Sequence, residues 1–239
     1  MAGLDLELSE QQALLRDAVA RLTSTVELPG WADLTEQLGL GGLTLPEDQG
    51  GFGGGLADVA LVMADLGPAL AGADWLSHVA ACAALGQGPE LASGSARAAL
   101  VSKATAATIP GLRDGNRIEG TARLVAGAAA ADLFVIALDG SLLAVDRLAP
   151  GLTVEPGQLH DGSVVADLHF AAVNGAPLSG EAGAIIALAR TGRCAEAVGL
   201  MQRMLADTTD YLAQRRQFGA PIASFQALPE VPDVAIIAV

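Results

Sequence analysis

Apolar side chains recur at helical spacing through the first 95 residues, which predicts a helical segment there. From Leu15 to Val26 they recur at intervals of 4, 3 and 4 residues and so lie on one face of a helix. Ser9 and Gln12, just before this face, have the spacing of a capping box, in which each side chain bonds the other residue's backbone N–H. Further helices are predicted over residues 31–38, 56–70 and 75–85.

The period changes to two between about residue 96 and residue 178, where short runs alternate between apolar and polar positions. Such alternation is typical of half-buried strands, and Asp139-Gly140 between two of the runs predicts a tight hairpin. Strands separated by turns, with no helices between them, favour an antiparallel sandwich or small barrel. The predicted strands cover residues 117–125, 133–138, 142–145 and 164–173.

The helical period returns after Glu181 and predicts one long helix over residues 181–216. Its apolar residues surround most of the circumference, which is typical of a helix buried on most sides. The tail that follows contains three prolines and offers no second long helix. The fold class expected is α+β, with a helical domain (1–95), a central antiparallel β-barrel or sandwich domain (96–180) and an incomplete C-terminal helical bundle (181–239).

Composition excludes some classes of partner. The 239 residues hold 27 acidic and 13 basic side chains, a formal charge of −14, whereas nucleic acids and anionic membranes attract clustered cations. Mean hydropathy is high at +0.44, but charged residues interrupt each apolar stretch before it reaches the roughly 20 residues of a membrane span. The acidic start MAGLDLELSEQQ lacks the features of a secretory signal. A cytoplasmic protein that binds neither nucleic acid nor membrane is expected.

Cysteines and histidines give no pattern of a metal site. Cys82 and Cys194 lie far apart in sequence without a CxxC spacing, so both are predicted to be small buried residues. His78 and His169 stand among apolar neighbours with no ligand at metal spacing and are predicted to be structural. The glycine-dense loop at residues 50–55 lacks a following Gly-Lys-Ser/Thr and is interpreted as a connector between helices.

Several phrases, in their order along the chain, resemble those of the acyl-CoA dehydrogenase family. LSEQQALLRDAV and LGLGGLTLPEDQGGFG occur near the start, and Ala131-Asp132-Leu133-Phe134-Val135 and LLAVDRLAPGLTV occur in the middle. The most specific phrase closes the long helix: Arg215-Arg-Gln217-Phe218-Gly219, followed by Phe225-Gln226. The resemblance extends over nearly the whole chain.

The resemblance implies an FAD-dependent oxidoreductase of lipid metabolism, which removes two hydrogens from an acyl-CoA thioester. In the family, the closing phrase contacts the FAD of a partner subunit, so the cofactor-binding residues implied are Arg215, Gln217, Phe218 and Gln226. The arginine near the CoA end of the substrate corresponds to Arg190. Acyl-CoA is therefore the substrate implied, and a homo-oligomer or hetero-oligomer with acyl-CoA dehydrogenase subunits is the assembly implied.

Three segments depart from the family pattern. The loop 100–110 lacks the Glu, Gly-Ser and Asp that bind the flavin ring in relatives, and Leu124 and Ala126 replace the family's aromatic residue and threonine beside that ring. At the position before Arg190, where a minority of members carry the glutamate base, this chain has Ala189. Glu196 is about half a turn out of phase with it. No catalytic residue is therefore assigned.

Three hypotheses remain open at this stage. In the first, the chain is an acyl-CoA dehydrogenase subunit that is active only with a partner. In the second, it is a non-catalytic partner that completes the flavin site of a full-length relative. In the third, it is a truncated inactive product.

Overall fold

The computed structural model describes residues 8–113, 115–138 and 140–224. Its first part is helical, and the predicted capping box begins the first helix: the Gln12 N–H donates to Ser9 Oγ at 3.2 Å, and the Ser9 N–H donates to Gln12 Oε1 at 3.1 Å. Five α-helices are described: α1 (Glu10–Thr25), α2 (Leu56–Leu66), α3 (Ala73–Leu85), α4 (Pro89–Ala92) and α5 (Ala182–Gln214).

The middle of the chain forms two four-stranded sheets that enclose a core of their own, which includes Phe134 and Leu168. The first sheet has the order β1-β4-β5-β8, with β1 (Ala98–Val101), β4 (Leu133–Leu138), β5 (Ser141–Asp146) and β8 (Ala176–Pro177). The second has the order β2-β3-β7-β6, with β2 (Gly111–Arg113), β3 (Arg117–Ala126), β7 (Val164–Asn174) and β6 (Leu152–Gln158).

The α+β class is confirmed, with a sandwich-like pair of sheets and, in the part described, no closed barrel. All pairs within the two sheets are antiparallel except β1 with β4, which is parallel. β4 and β5 pair from Leu138 to Ser141 across a two-residue connection, as the hairpin signal predicted. Gly140 has φ 82° there, while Asp139 lies outside the described residues.

Two helix predictions need correction. The helix expected over 56–70 ends at Leu66, because the ring of Pro68 would clash with the carbonyl one turn earlier. A single 3-10 turn, Gly67–Ala69, follows it. The helix expected over 31–38 contains a π-helical segment, Asp33–Gln37, rather than a regular α-helix.

α5 lies against α2 with almost no side chain between the two backbones. A Cβ added at Gly199 would collide with the Ala64 carbonyl oxygen, and one added at Gly67 would collide with the Glu196 carbonyl oxygen. These glycines therefore set how closely the two helices approach. Only the first part of α5 is covered in this way, and every residue from Met201 to Asp210 is exposed.

The glycine-dense connector is packed by its own backbone. A Cβ at Gly51 would collide with the Leu45 carbonyl oxygen and lie 2.5 Å from the Gly42 carbonyl oxygen. The segment thus needs glycine for a close approach of the chain to itself.

Only one of the two cysteines is buried as expected. Cys82 is enclosed in α3, and burial raises the pKa of its thiol to about 12. Cys194 is exposed, contrary to the prediction, because it lies on the side of α5 turned away from Gly192 and Gly199.

His78 connects three elements inside the helical core. The Ala98 N–H donates to His78 Nδ1 at 3.0 Å, so Nδ1 is an acceptor and the ring proton belongs on Nε2, which lies 3.2 Å from the Leu91 carbonyl oxygen. Burial lowers the pKa of His78 to about 4, although the hydrogen bond to Leu91 opposes the shift. The ring is therefore neutral near pH 7.

Acidification is expected to destabilise the fold through His78. Histidine in an unfolded chain titrates near 6.5, so between that pH and about 4 the unfolded state binds more protons than the folded state. The free energy of unfolding should fall by about 3 kcal/mol across this interval. Urea unfolding at pH 7.5 and pH 5 measures the part of this change that lies above pH 5, about 2 kcal/mol. His78→Gln should flatten the dependence and the exposed His160→Gln should not; equal pH dependence in both variants would exclude His78 as its source.

Candidate functional site

The predicted cofactor residues come together where α5 ends. Arg215 leaves the helix, and its N–H still donates to the Tyr211 carbonyl oxygen at 2.8 Å. A small hairpin of β9 (Arg216–Gln217) and β10 (Ala220–Pro221) follows, so Gln217 is exposed beside Arg215. Phe218, at the tip of the hairpin, has φ 52° and is 92% exposed. Gln226 and the preceding Phe225 lie outside the described residues.

The charge at this helix end is directed outwards. Among the described residues the Arg215 guanidinium has no ion-pair partner, whereas Arg216 donates to the Gly219 carbonyl oxygen at 3.1 Å. Two acidic residues precede the hairpin on the last turns of α5: Asp207 pairs with Arg203 at 2.8 Å, and Asp210 forms no ion pair among the described residues. An exposed, permanently charged planar fork is suited to a phosphate or diphosphate of another molecule.

The part of α5 where the resemblance places a catalytic base contains no carboxylate. Ala189 is fully buried in the helical core, next to the exposed Arg190. Glu196, one of the few acidic residues on α5, is largely buried and forms a 2.7 Å ion pair with Arg193. Its carboxylate is therefore paired with a cation of the same helix.

The loop where relatives bind a flavin ring satisfies its own polar groups. The buried Thr105 hydroxyl accepts the Ser102 N–H at 3.1 Å and donates to the Leu100 carbonyl oxygen. The buried Ser102 hydroxyl accepts the Ala104 N–H at 3.1 Å. Both hydroxyls thus stabilise the loop itself.

The neighbouring strand β3 likewise offers no hydroxyl at the two positions where the resemblance places a flavin ring. Leu124 sits in a β-bulge at φ 54°, and its N–H donates to Asp167 Oδ1 at 2.8 Å. This bond, with Arg123 nearby, holds the pKa of Asp167 below its usual range. Ala126, the second position, is buried. At the positions that the resemblance assigns, the exposed Arg215 suits a diphosphate, whereas Leu124 and Ala126 offer a flavin ring no hydroxyl.

A cleft between the helical part and the sheets was not predicted from the sequence. It holds a cavity of about 200 Å³ lined by Trp31, Asp74 and Arg97, with Val164 on the sheet side. A second hollow of about 250 Å³ shares Asp74 and Val164 with it. No local spacing connects these positions, so a single sequence held no signal for the cleft.

His169 has a partner that sequence spacing did not reveal. Its Nε2 lies 3.3 Å from Glu155 across neighbouring strands, and its Nδ1 lies 3.1 Å from the Thr121 hydroxyl. Strand pairing joins residues that are 14 apart in sequence.

Two negative findings apply to residues 8–113, 115–138 and 140–224. No helix there combines the length and the apolar run that a bilayer crossing requires. The same residues contain no group of three or more metal-binding side chains.

Comparison with known proteins gives a consistent result. The family described as acyl-CoA dehydrogenase, C-terminal domain, matches residues 182–231. The acyl-CoA dehydrogenase IpdE2 of Mycobacterium tuberculosis is 31% identical over an alignment of 245 positions, which covers 92% of this chain and 69% of that protein.

Solved structures share the fold along nearly the whole chain. The Tcur3481-Tcur3483 steroid ACAD variant superposes with a TM-score of 0.79 at 25% identity, covering 96% of this chain and 74% of that one. The ChsE4-ChsE5 complex from Mycobacterium tuberculosis gives a TM-score of 0.77 at 24% identity, covering 98% of this chain and 76% of that one.

Proposed function

The chain belongs to the acyl-CoA dehydrogenase family, and we propose that it serves as one subunit of a cytoplasmic FAD-dependent assembly that desaturates an acyl-CoA thioester. The FAD, when bound, supplies the oxidant for this reaction. In this assembly Arg215, Gln217 and Phe218, together with Gln226, contact the diphosphate region of a cofactor whose ring is held by the partner subunit. Arg190 lies near the CoA end of the substrate.

The exposed half of α5 carries this proposal. Met201, Met204 and Tyr211 each expose more than half of their surface, and this part of the helix leads directly to Arg215. Exposed apolar surface of this kind is typical of protein interfaces. A subunit packed on this face would place the cofactor that it holds beside the Arg215 guanidinium.

A different family member is the partner we favour. A second copy of this chain would bring the same self-bonded loop and the same Leu124 and Ala126, so a homo-oligomer would still lack the ring-binding hydroxyls. The relative described as the ChsE4-ChsE5 complex is named for two different chains. We propose the same kind of pairing here.

The absence of a carboxylate at Ala189 favours a second candidate function. In this version the chain is a non-catalytic partner, and both the base and the flavin ring belong to the other subunit. Both versions leave the flavin ring on the partner and differ in which subunit supplies the base, so inactivating the partner's base distinguishes them. Residual turnover would support a catalytic role for this chain, and complete loss would support the non-catalytic one.

Co-expression with a full-length acyl-CoA dehydrogenase tests the cofactor role. The wild-type chain should raise the flavin content of the purified pair, measured by absorbance at the flavin band. Arg215→Ala should weaken FAD binding about 10-fold to 100-fold, since a hydrogen bond to a charged group contributes about 1.5–3 kcal/mol. Arg113→Ala removes an equally exposed arginine on another element and should have no effect. Equal flavin content in both variants would contradict the proposal.

A further inference from the structure

The cavity lined by Trp31, Asp74 and Arg97 contains charged groups that the proposed flavin chemistry does not use. The Arg97 guanidinium lies 4.2 Å from the centre of the Trp31 ring. Trp31 is itself fixed, because its Nε1–H donates to the Gly94 carbonyl oxygen at 3.1 Å and its ring meets the His78 ring edge-on. The arginine is thus held over a rigid platform.

The Arg97 guanidinium has no acceptor among the described residues. Among the described residues, Arg97 makes polar contacts through its backbone alone: its backbone N–H donates to Asp132 Oδ2 at 2.9 Å. This backbone bond anchors the residue at the start of β1 and leaves the planar fork of donors available at the cavity. Stacking on an aromatic face leaves those in-plane N–H donors unblocked.

Asp74 lines the same cavity without forming an ion pair with Arg97. One of its oxygens, Oδ1, accepts the N–H of the adjacent Trp75 at 2.9 Å, and its remaining acceptor capacity is unused by the described residues. Arg97 and Asp74 therefore line one space, together with the apolar residues Ala129, Ala130 and Val164. A cavity of about 200 Å³ has the volume of roughly six liquid waters.

We propose that this cavity binds a small hydroxycarboxylate, with the carboxylate on Arg97, the hydroxyl donating to Asp74 and the carbon chain against Ala129, Ala130 and Val164. Each polar group of such a ligand meets its complement: an anion with two acceptor oxygens matches the guanidinium fork, and a hydroxyl donor matches the carboxylate. The site is independent of Arg215 and of any partner's flavin.

Calorimetric titration of the purified protein with 3-hydroxybutyrate at pH 7.5 tests the proposal. Binding should saturate and should change the fluorescence of Trp31, while the fully buried Trp75 contributes a constant background. Two matched probes separate the contributions of the hydroxyl and the carboxylate to binding. Butyrate, which lacks the hydroxyl, should bind about 10-fold more weakly, and 1,3-butanediol, which lacks the carboxylate, should not bind.

Substitutions of Arg97 and Asp74 test the role of each charged group in binding. Arg97→Gln should weaken 3-hydroxybutyrate binding at least 10-fold, and Arg97→Lys, which keeps the charge but loses the fork, should be intermediate. Asp74→Asn should reduce the preference for 3-hydroxybutyrate over butyrate. Arg113→Gln, far from the cavity, should bind like the wild type. Heats that do not saturate, or equal affinity in the Arg97→Gln and Arg113→Gln proteins, would overturn the proposal, as would a butanediol affinity equal to that of hydroxybutyrate.

Discussion

Acyl-CoA oxidation by this chain alone is expected to stay at the background rate. The residue before Arg190 is the buried Ala189, and a positioned general base contributes typically 10²–10⁴-fold to proton abstraction, or about 3–5 kcal/mol of the barrier. The loop around Thr105 also bonds its own hydroxyls and leaves none for a flavin ring. A dye-linked assay with a panel of acyl-CoA thioesters measures the rate, and the co-expressed pair should exceed it by at least about 100-fold.

A yellow, active preparation of the isolated chain would contradict this expectation and make Glu196 the first candidate for the base. Glu196→Gln would then abolish turnover. Asp207→Asn is the matched control, because Asp207 is also a carboxylate of α5 held by an arginine of the same helix. If neither substitution lowers the rate, the base lies elsewhere.

Gly199→Ala is expected to destabilise the protein by about 3 kcal/mol or more. A Cβ at this position collides with the Ala64 carbonyl oxygen and lies 3.1 Å from Cδ of Pro68, so α2 and α5 must move apart. Overpacking a close contact costs typically 1–3 kcal/mol, and a backbone atom cannot change rotamer to avoid the added methyl group. Urea unfolding followed by circular dichroism gives the free-energy change.

Gly183→Ala provides the matched control for this substitution. Gly183 lies on the same helix, is exposed, and a Cβ added there meets nothing within 4 Å. Alanine should therefore be neutral or stabilising by up to about 1 kcal/mol, the usual preference of a helix for alanine over glycine. Similar losses in the two variants would mean that helix propensity, rather than contact between α2 and α5, governs the effect.

Sequence periodicity predicted the helices and strands that have one buried face and one exposed face. α1 and β7 each have a buried and an exposed face, and both were expected near their observed positions. β1 was not identified, because Ala98–Val101 is buried at every position and a continuous apolar run has no period. The end of α2 was missed because apolar residues at helical spacing continue to Leu70, past Pro68, whose ring ends the helix.

The candidate site was predictable only where its residues are neighbours in sequence. Arg215, Gln217 and Phe218 fall within four positions, and the hairpin after α5 keeps them together. The cavity brings Trp31 and Arg97 together from positions 66 residues apart, through the packing of helices on strands. Such contacts depend on the tertiary structure and leave no local pattern.

The order in which the strands occur along the chain links the two sheets during folding. The chain places β1 in one sheet, β2 and β3 in the other, β4 and β5 in the first, β6 and β7 in the second, and β8 again in the first. β1 therefore stays unpaired until a loop of about thirty residues closes, and sequence-distant pairing of this kind slows folding. Each sheet is completed only after strands of the other have been synthesised. A nascent chain would consequently expose the apolar strand Ala98–Val101 until β4 emerges from the ribosome, which makes early synthesis the stage most vulnerable to aggregation.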